Sequence, residues 1–150
     1  MRASSLLRLA CTLACAGCGA SFAGPPEVEL GTGGDRFVAI HDGDTVAIVH
    51  GIQGGYHVWG AVRARYLDPR ALRLRFTLAL DDASAPLSVR EDVGDLDGGD
   101  GSDPGTHAGT TVFLPDPAVA RDHACRFTVE VTDADGRTAG DSRRIVPRGP

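Results

Sequence analysis

Apolar and polar residues alternate with a period of two along much of this chain, most regularly between Gln53 and Leu80. Tyr56, Val58, Gly60, Val62, Ala64 and Tyr66 fall on one face of that stretch, and His57, Trp59, Ala61, Arg63 and Arg65 on the other. Beyond Leu67-Asp68-Pro69-Arg70, Leu72, Leu74, Phe76, Leu78 and Leu80 point one way while Arg73, Arg75 and Thr77 point the other. A period of two held this long predicts half-buried β-strands. Pro69 has no N–H for a ladder, so the chain reverses there, and the two strands are expected to form a central hairpin. Gln53-Gly54-Gly55 supplies a tight turn at its entrance.

Shorter runs repeat the pattern. Arg36 to Ile40 and Thr45 to His50 flank His41-Asp42-Gly43-Asp44, and Asp-Gly between apolar runs predicts a second hairpin. Glu27 to Leu30 reads as a first strand, Leu87 to Arg90 as a brief edge strand, and Thr110 to Leu114 as a strand stopped by Pro115-Asp116-Pro117. Ala124 to Thr132 alternates cleanly, turns at Asp133-Ala134-Asp135-Gly136, and returns from Arg137 to Val146. Helical periodicity is absent, so the expected fold class is all-β, an antiparallel β-sandwich over residues 27–146 with a frayed tail at 147–150.

The start of the chain follows a different pattern. Arg2 and Arg8 precede or flank an apolar run, Leu9 to Ala16, that is too short to span a bilayer, so residues 1–17 read as a signal peptide. Cys15-Ala16-Gly17-Cys18 resembles a bacterial lipobox, although Cys15 stands where such motifs usually carry leucine. The resemblance implies acylation of Cys18 and anchorage to a bilayer without crossing it. Gly19 in the following position resembles lipoproteins that are not retained at an inner membrane, which favours the outer one. Residues 18–26 are expected to form a flexible tether.

Charge and cysteine content narrow the partners. Taking Arg2 and Arg8 from the 15 basic residues leaves 13 against 20 acids, a formal charge of −7 beyond the leader. With no basic face, a nucleic-acid partner is not expected. Three of the four cysteines lie at or before position 18, leaving Cys125, which shares a strand face with Phe127, Val129 and Val131. An exported chain of this kind has no internal disulfide framework, and Cys125 is expected in the core.

Two places carry candidate chemistry. Residues 91–109 are dense in aspartate and glycine and offer Asp92, Asp95, Asp97, Asp100 and Asp103 to a weakly bound calcium ion. Measured from Asp95, however, Gly99 occupies a ligand position of the EF-hand pattern, and a solvated structureless loop is the main expectation. His57 and Trp59 share the polar face of the central strand and would make a binding patch if exposed. The main expectation is that Trp59 packs beneath a loop or along the rim, with His57 bonded to the glycine turn. G-x-S-x-G, H-E-x-x-H and phosphate-cradling glycine motifs are missing, so no enzymatic activity and no cofactor beyond the lipid are expected.

Two stretches carry a resemblance to known families. FTVEVTDADGRTAGDSRRIV is similar to the closing hairpin of immunoglobulin-like domains in bacterial surface proteins. GIQGGYHVWGAVRARYLDP resembles a motif of small myxobacterial-type lipoproteins, in which a glycine pair, a histidine and a tryptophan precede an arginine-rich strand. These resemblances imply an immunoglobulin-like sandwich in a lipid-anchored protein and no activity to carry over. The main expectation is a non-catalytic envelope lipoprotein with a structural role or one of binding an envelope protein or polysaccharide, and the acidic residues 91–109 leave a calcium-dependent binding module as the alternative.

Overall fold

The computed structural model describes residues 22 and 24–149. Cys18 and the leader lie outside the described residues, as does most of the expected tether. The described chain folds into a β-sandwich of two sheets with one short helix. The first sheet holds β1 (Glu27–Thr32), β2 (Val38–Ala39), β4 (Val49–His50), β5 (Tyr56–Arg65) and β8 (Gly105–Leu114). The second runs in the order β3 (Thr45–Ala47), β10 (Thr138–Arg148), β9 (Cys125–Thr132), β6 (Leu72–Leu80) and β7 (Ser88–Gly94). β5 lies between β8 on one side and β1 followed by β4 on the other. Every pairing is antiparallel except β3 with β10. A second sheet whose last strand sits beside the next-to-last, followed by the strand after the cross-over, has the order found in immunoglobulin-like sandwiches.

The core follows from strand alternation. Leu30, Val58, Val62, Ala64, Val112 and Leu114 face inward from the first sheet, against Leu72, Leu74, Phe76, Leu78, Phe127, Val129 and Val131 of the second. Phe76 lies at the centre. Its ring centroid is 5.9 Å from that of Phe127, and a Cβ at Gly60 would come within 2.7 Å of its Cε1. Gly60 is thus the notch in β5 that lets the two sheets close over an aromatic side chain.

Three expectations about pairing are corrected. β5 and β6 do not form a hairpin: they belong to different sheets, and the Leu67–Arg70 turn carries the chain across the sandwich. The apolar faces meet across the core and do not lie side by side. Positive φ at Tyr66 (60°) and Ala71 (49°) bends the chain out of one sheet and into the other. Asp133, 2 % exposed, holds this crossing in place by accepting from the N–H groups of Asp68, Asp135 and Arg137.

The Asp42-Gly43 turn likewise fails to make a hairpin, since β2 pairs with β1 while β3 pairs with β10. Contacts with β10 capture the turn: Gly43 N–H donates to Arg144 O at 2.7 Å, and Arg144 N–H donates to the Asp42 carboxylate at 2.7 Å. Finally, the tail expected to fray from residue 147 is paired through Arg148, with Pro147 opposite Val46.

The span 91–109 is not a structureless loop. β7 continues to Gly94 and β8 begins at Gly105, so only residues 95–104 connect strands. Even these are tied down, with Leu96 buried and its N–H donating to Pro69 O at 2.8 Å. Asp97 and Thr106 exchange both backbone hydrogen bonds. A one-turn helix, α1 (Pro117–Ala120), links β8 to β9; Asp116 caps it by accepting from Ala118 N–H at 3.0 Å.

Candidate functional site

β5 presents His57 and Trp59 on the outer face of the first sheet, the parity that alternation predicts. They are nonetheless covered, because the outer face carries its own small apolar cluster. The His57 ring meets the Trp59 ring edge-on at 4.4 Å and the Phe113 ring at 6.4 Å. Phe113 comes from β8, where it stands opposite His57 in the ladder. The turn at 51–55, closed by Gly51 N–H to Gly55 O and Gly54 N–H to Gly51 O, folds over the imidazole. A Cβ at Gly51 would lie 3.9 Å from His57 Cε1. Only 5 % of His57 remains exposed.

Its Nε2 is buried without a hydrogen-bond partner, so the expected bond from this ring to the glycine turn is not made through that atom. Burial pushes the His57 pKa below its ordinary value, because a charged imidazolium would have to give up its hydration there. The neutral ring serves as an apolar wall.

Trp59 lies beneath the connection between β1 and β2. Its indole packs against Gly34, and Gly109 N–H donates to Gly33 O at 3.0 Å, pinning that connection down. Thr32 Oγ1–H donates to Trp59 O at 2.9 Å. Farther along the same face, the Arg63 guanidinium sits 5.1 Å above the Phe37 ring and pairs with Glu29, and Arg65 pairs with Glu27. What the cluster offers outward is therefore chiefly Phe113, 53 % exposed; Ile52, on the 51–55 turn, is fully exposed. Phe113 and Ile52 escaped the sequence reading. The available signal was an apolar residue at an outward-parity position of a strand, and another at the tip of a glycine-rich turn.

The five aspartates of the acidic stretch go separate ways. Asp92, half-buried, accepts from Thr110 Oγ1–H at 3.3 Å, and Thr110 Oγ1 lies 3.2 Å from His107 Nε2. This polar chain fills the open side of the sandwich between β7 and β8, and a side chain at Gly94 would displace the His107 ring. Asp95 accepts from Ala71 N–H at 2.7 Å. The side chain of Asp97 is exposed, and so is that of Asp103. Asp100 accepts from the N–H groups of Asp103 and Ser102, and these bonds hold its carboxyl below the usual range. Among the described residues, no three His, Cys, Asp or Glu side chains are gathered as a metal site would require.

Cys125, the described cysteine, is a core residue on β9. Burial, with a smaller contribution from the Asp81 carboxylate, pushes its thiol up to about 11. No described helix is long and apolar enough to cross a membrane. Comparison of the chain with protein-family models, with curated proteins and with solved structures finds no match.

Proposed function

We propose that this chain is a non-catalytic cell-envelope lipoprotein, acylated at Cys18, whose sandwich binds another envelope protein through the face built on His57, Trp59 and Phe113. One observation carries the reading. The polar-parity face of β5 holds a preformed ring cluster of His57, Trp59 and Phe113 in which Phe113 is left in water, and Ile52 is fully exposed on the turn at 51–55. Core packing does not require them, and aromatic anchors of this kind dominate protein interfaces. The buried His57 ring backs this surface from beneath as an apolar wall.

The test is capture from solubilised envelopes with the wild-type chain and with Phe113→Ser/Ile52→Ser. A specific protein partner should lose at least about tenfold in recovery, the usual scale for removing an anchor. Equal recovery with both baits would sink the reading, as would binding only to isolated envelope polysaccharide. Calcium-dependent binding through Asp97 and Asp100 is the rival, and it forecasts capture that millimolar calcium switches on and Asp97→Asn/Asp100→Asn switches off.

A further inference from the structure

The described chain begins four positions after Cys18, and it is already attached to the sandwich there. Arg137, in the turn between β9 and β10, lays its guanidinium 5.3 Å from the centre of the Phe22 ring. The same side chain donates from Nη2 to Gly24 O at 2.7 Å. Phe22 occupies the space a side chain would need at Gly101, and Gly101 adopts φ +91°, a conformation that favours glycine. Gly24 lies against the Tyr66 ring, where a Cβ would approach Cε2 to 2.8 Å, and Gly101 O accepts from Tyr66 N–H. Phe22, Gly24, Tyr66, Gly101 and Arg137 thus form a clasp. The flexible tether expected over residues 18–26 is corrected at its far end, since Phe22 and Gly24 are docked.

The clasp sits where β5 ends, among the turns at 66–71, 95–104 and 133–137. Four chain steps from Cys18 to Phe22 span at most about 14 Å. The ten residues of β5 extend roughly 33 Å. An acyl group at Cys18 therefore cannot reach a bilayer unless the clasp end of the sandwich lies close to it.

We infer that the clasp seats this end of the sandwich on the bilayer surface, so that the rim carrying Ile52 and Phe113 points away from the lipid. The inference rests on the acylation of Cys18 proposed above. The seat is acidic, with Asp68, Asp97, Asp100, Asp103 and Asp135 on the turns around it, so it suits zwitterionic phospholipid and is repelled by anionic lipid. With its short reach and docked Phe22, the anchor sets an orientation.

The test uses the full chain recovered from membranes and reconstituted into phosphatidylcholine vesicles that carry a headgroup energy-transfer acceptor. A fluorophore is placed at Ser102→Cys, on the clasp end, or at Gln53→Cys, on the opposite rim; the buried Cys125 stays unlabelled. Transfer should be several-fold stronger from position 102 than from position 53. Combining either label with Phe22→Ala/Arg137→Ala, which opens the clasp, should bring the two positions toward equality. Vesicle-bound protein with equal transfer from both positions overturns the seating while leaving the anchor in place. Failure of the intact chain to stay with vesicles overturns the anchor and the seating together. A positional difference that survives in the clasp variant shows that something other than the clasp sets the orientation, and also overturns the inference.

Discussion

Single side chains in this molecule divide sharply by strand parity. Phe76 is wholly buried, whereas Arg75 lies on the outer face and pairs with Glu91 at 2.9 Å, where both are exposed. Phe76→Ala is expected to cost about 3–5 kcal/mol, the cavity it leaves being bounded by Gly60 and Phe127, which cannot fill it. Arg75→Ala should stay within about 1 kcal/mol, because an exposed ion pair contributes little. Urea denaturation of the two variants measures the contrast, and similar losses would contradict the assignment of faces. His57 has the right parity and the wrong environment for a polar face. Its folded pKa lies below the ordinary 6.5, so between those values the unfolded chain binds more protons. Its contribution to stability is complete above about 6.5 and is lost as pH falls toward the lowered folded value. Melts of wild type and His57→Phe between pH 7.5 and about 5 should therefore diverge, the variant losing less stability on acidification. Parallel curves would mean that the ring is not desolvated.

At the scale of elements, alternation revealed which residues point inward but not which strand lies beside which. Leu72, Leu74, Phe76 and Leu78 bury the same face whether β6 sits next to β5 or opposite it, so the sequence is identical for a hairpin and for a crossing. The difference lies in Tyr66 and Ala71, two ordinary residues at positive φ, and in Asp133, more than sixty positions away, which ties the crossing down. Neither signal is local. The acidic stretch misled for a related reason. Its composition is that of a solvated loop, yet Leu96 is an anchor and the backbone of 91–94 and 105–107 is paired. Replacing residues 91–109 by a short Gly-Ser turn should accordingly unfold the protein or strip most of its stability. Leu96→Ala alone should cost about 2–4 kcal/mol, the usual loss for a buried leucine. Circular dichroism during thermal melting tests both, and a replacement that melts like wild type would restore the view of this stretch as a dispensable insert. For the candidate site, the sequence located His57 and Trp59 but not their cover, because Phe113, Gly34 and Gly51 come from three other segments of the chain.

Over the whole molecule, stability is shared through the second sheet, where Cys125 is buried next to Ile145 of β10. A thiol raised to about 11 and sealed from solvent reacts only when the sandwich opens. Thiol labelling of Cys125 should be slow under native conditions and fast in denaturant, with a native rate that tracks global unfolding across the stability variants above. Fast native labelling would place an opening of β9 below the global transition.

The pairing of β3 with β10 has a consequence in time. Thr45 stands opposite Val146, about a hundred positions away along the chain, and β10 also supplies the only partner of β9 on that side. The sandwich cannot close until its last strand is available, and contacts so distant in sequence make folding slow. A chain synthesised from its N-terminus therefore holds β3 without its β10 partner until β10 has emerged.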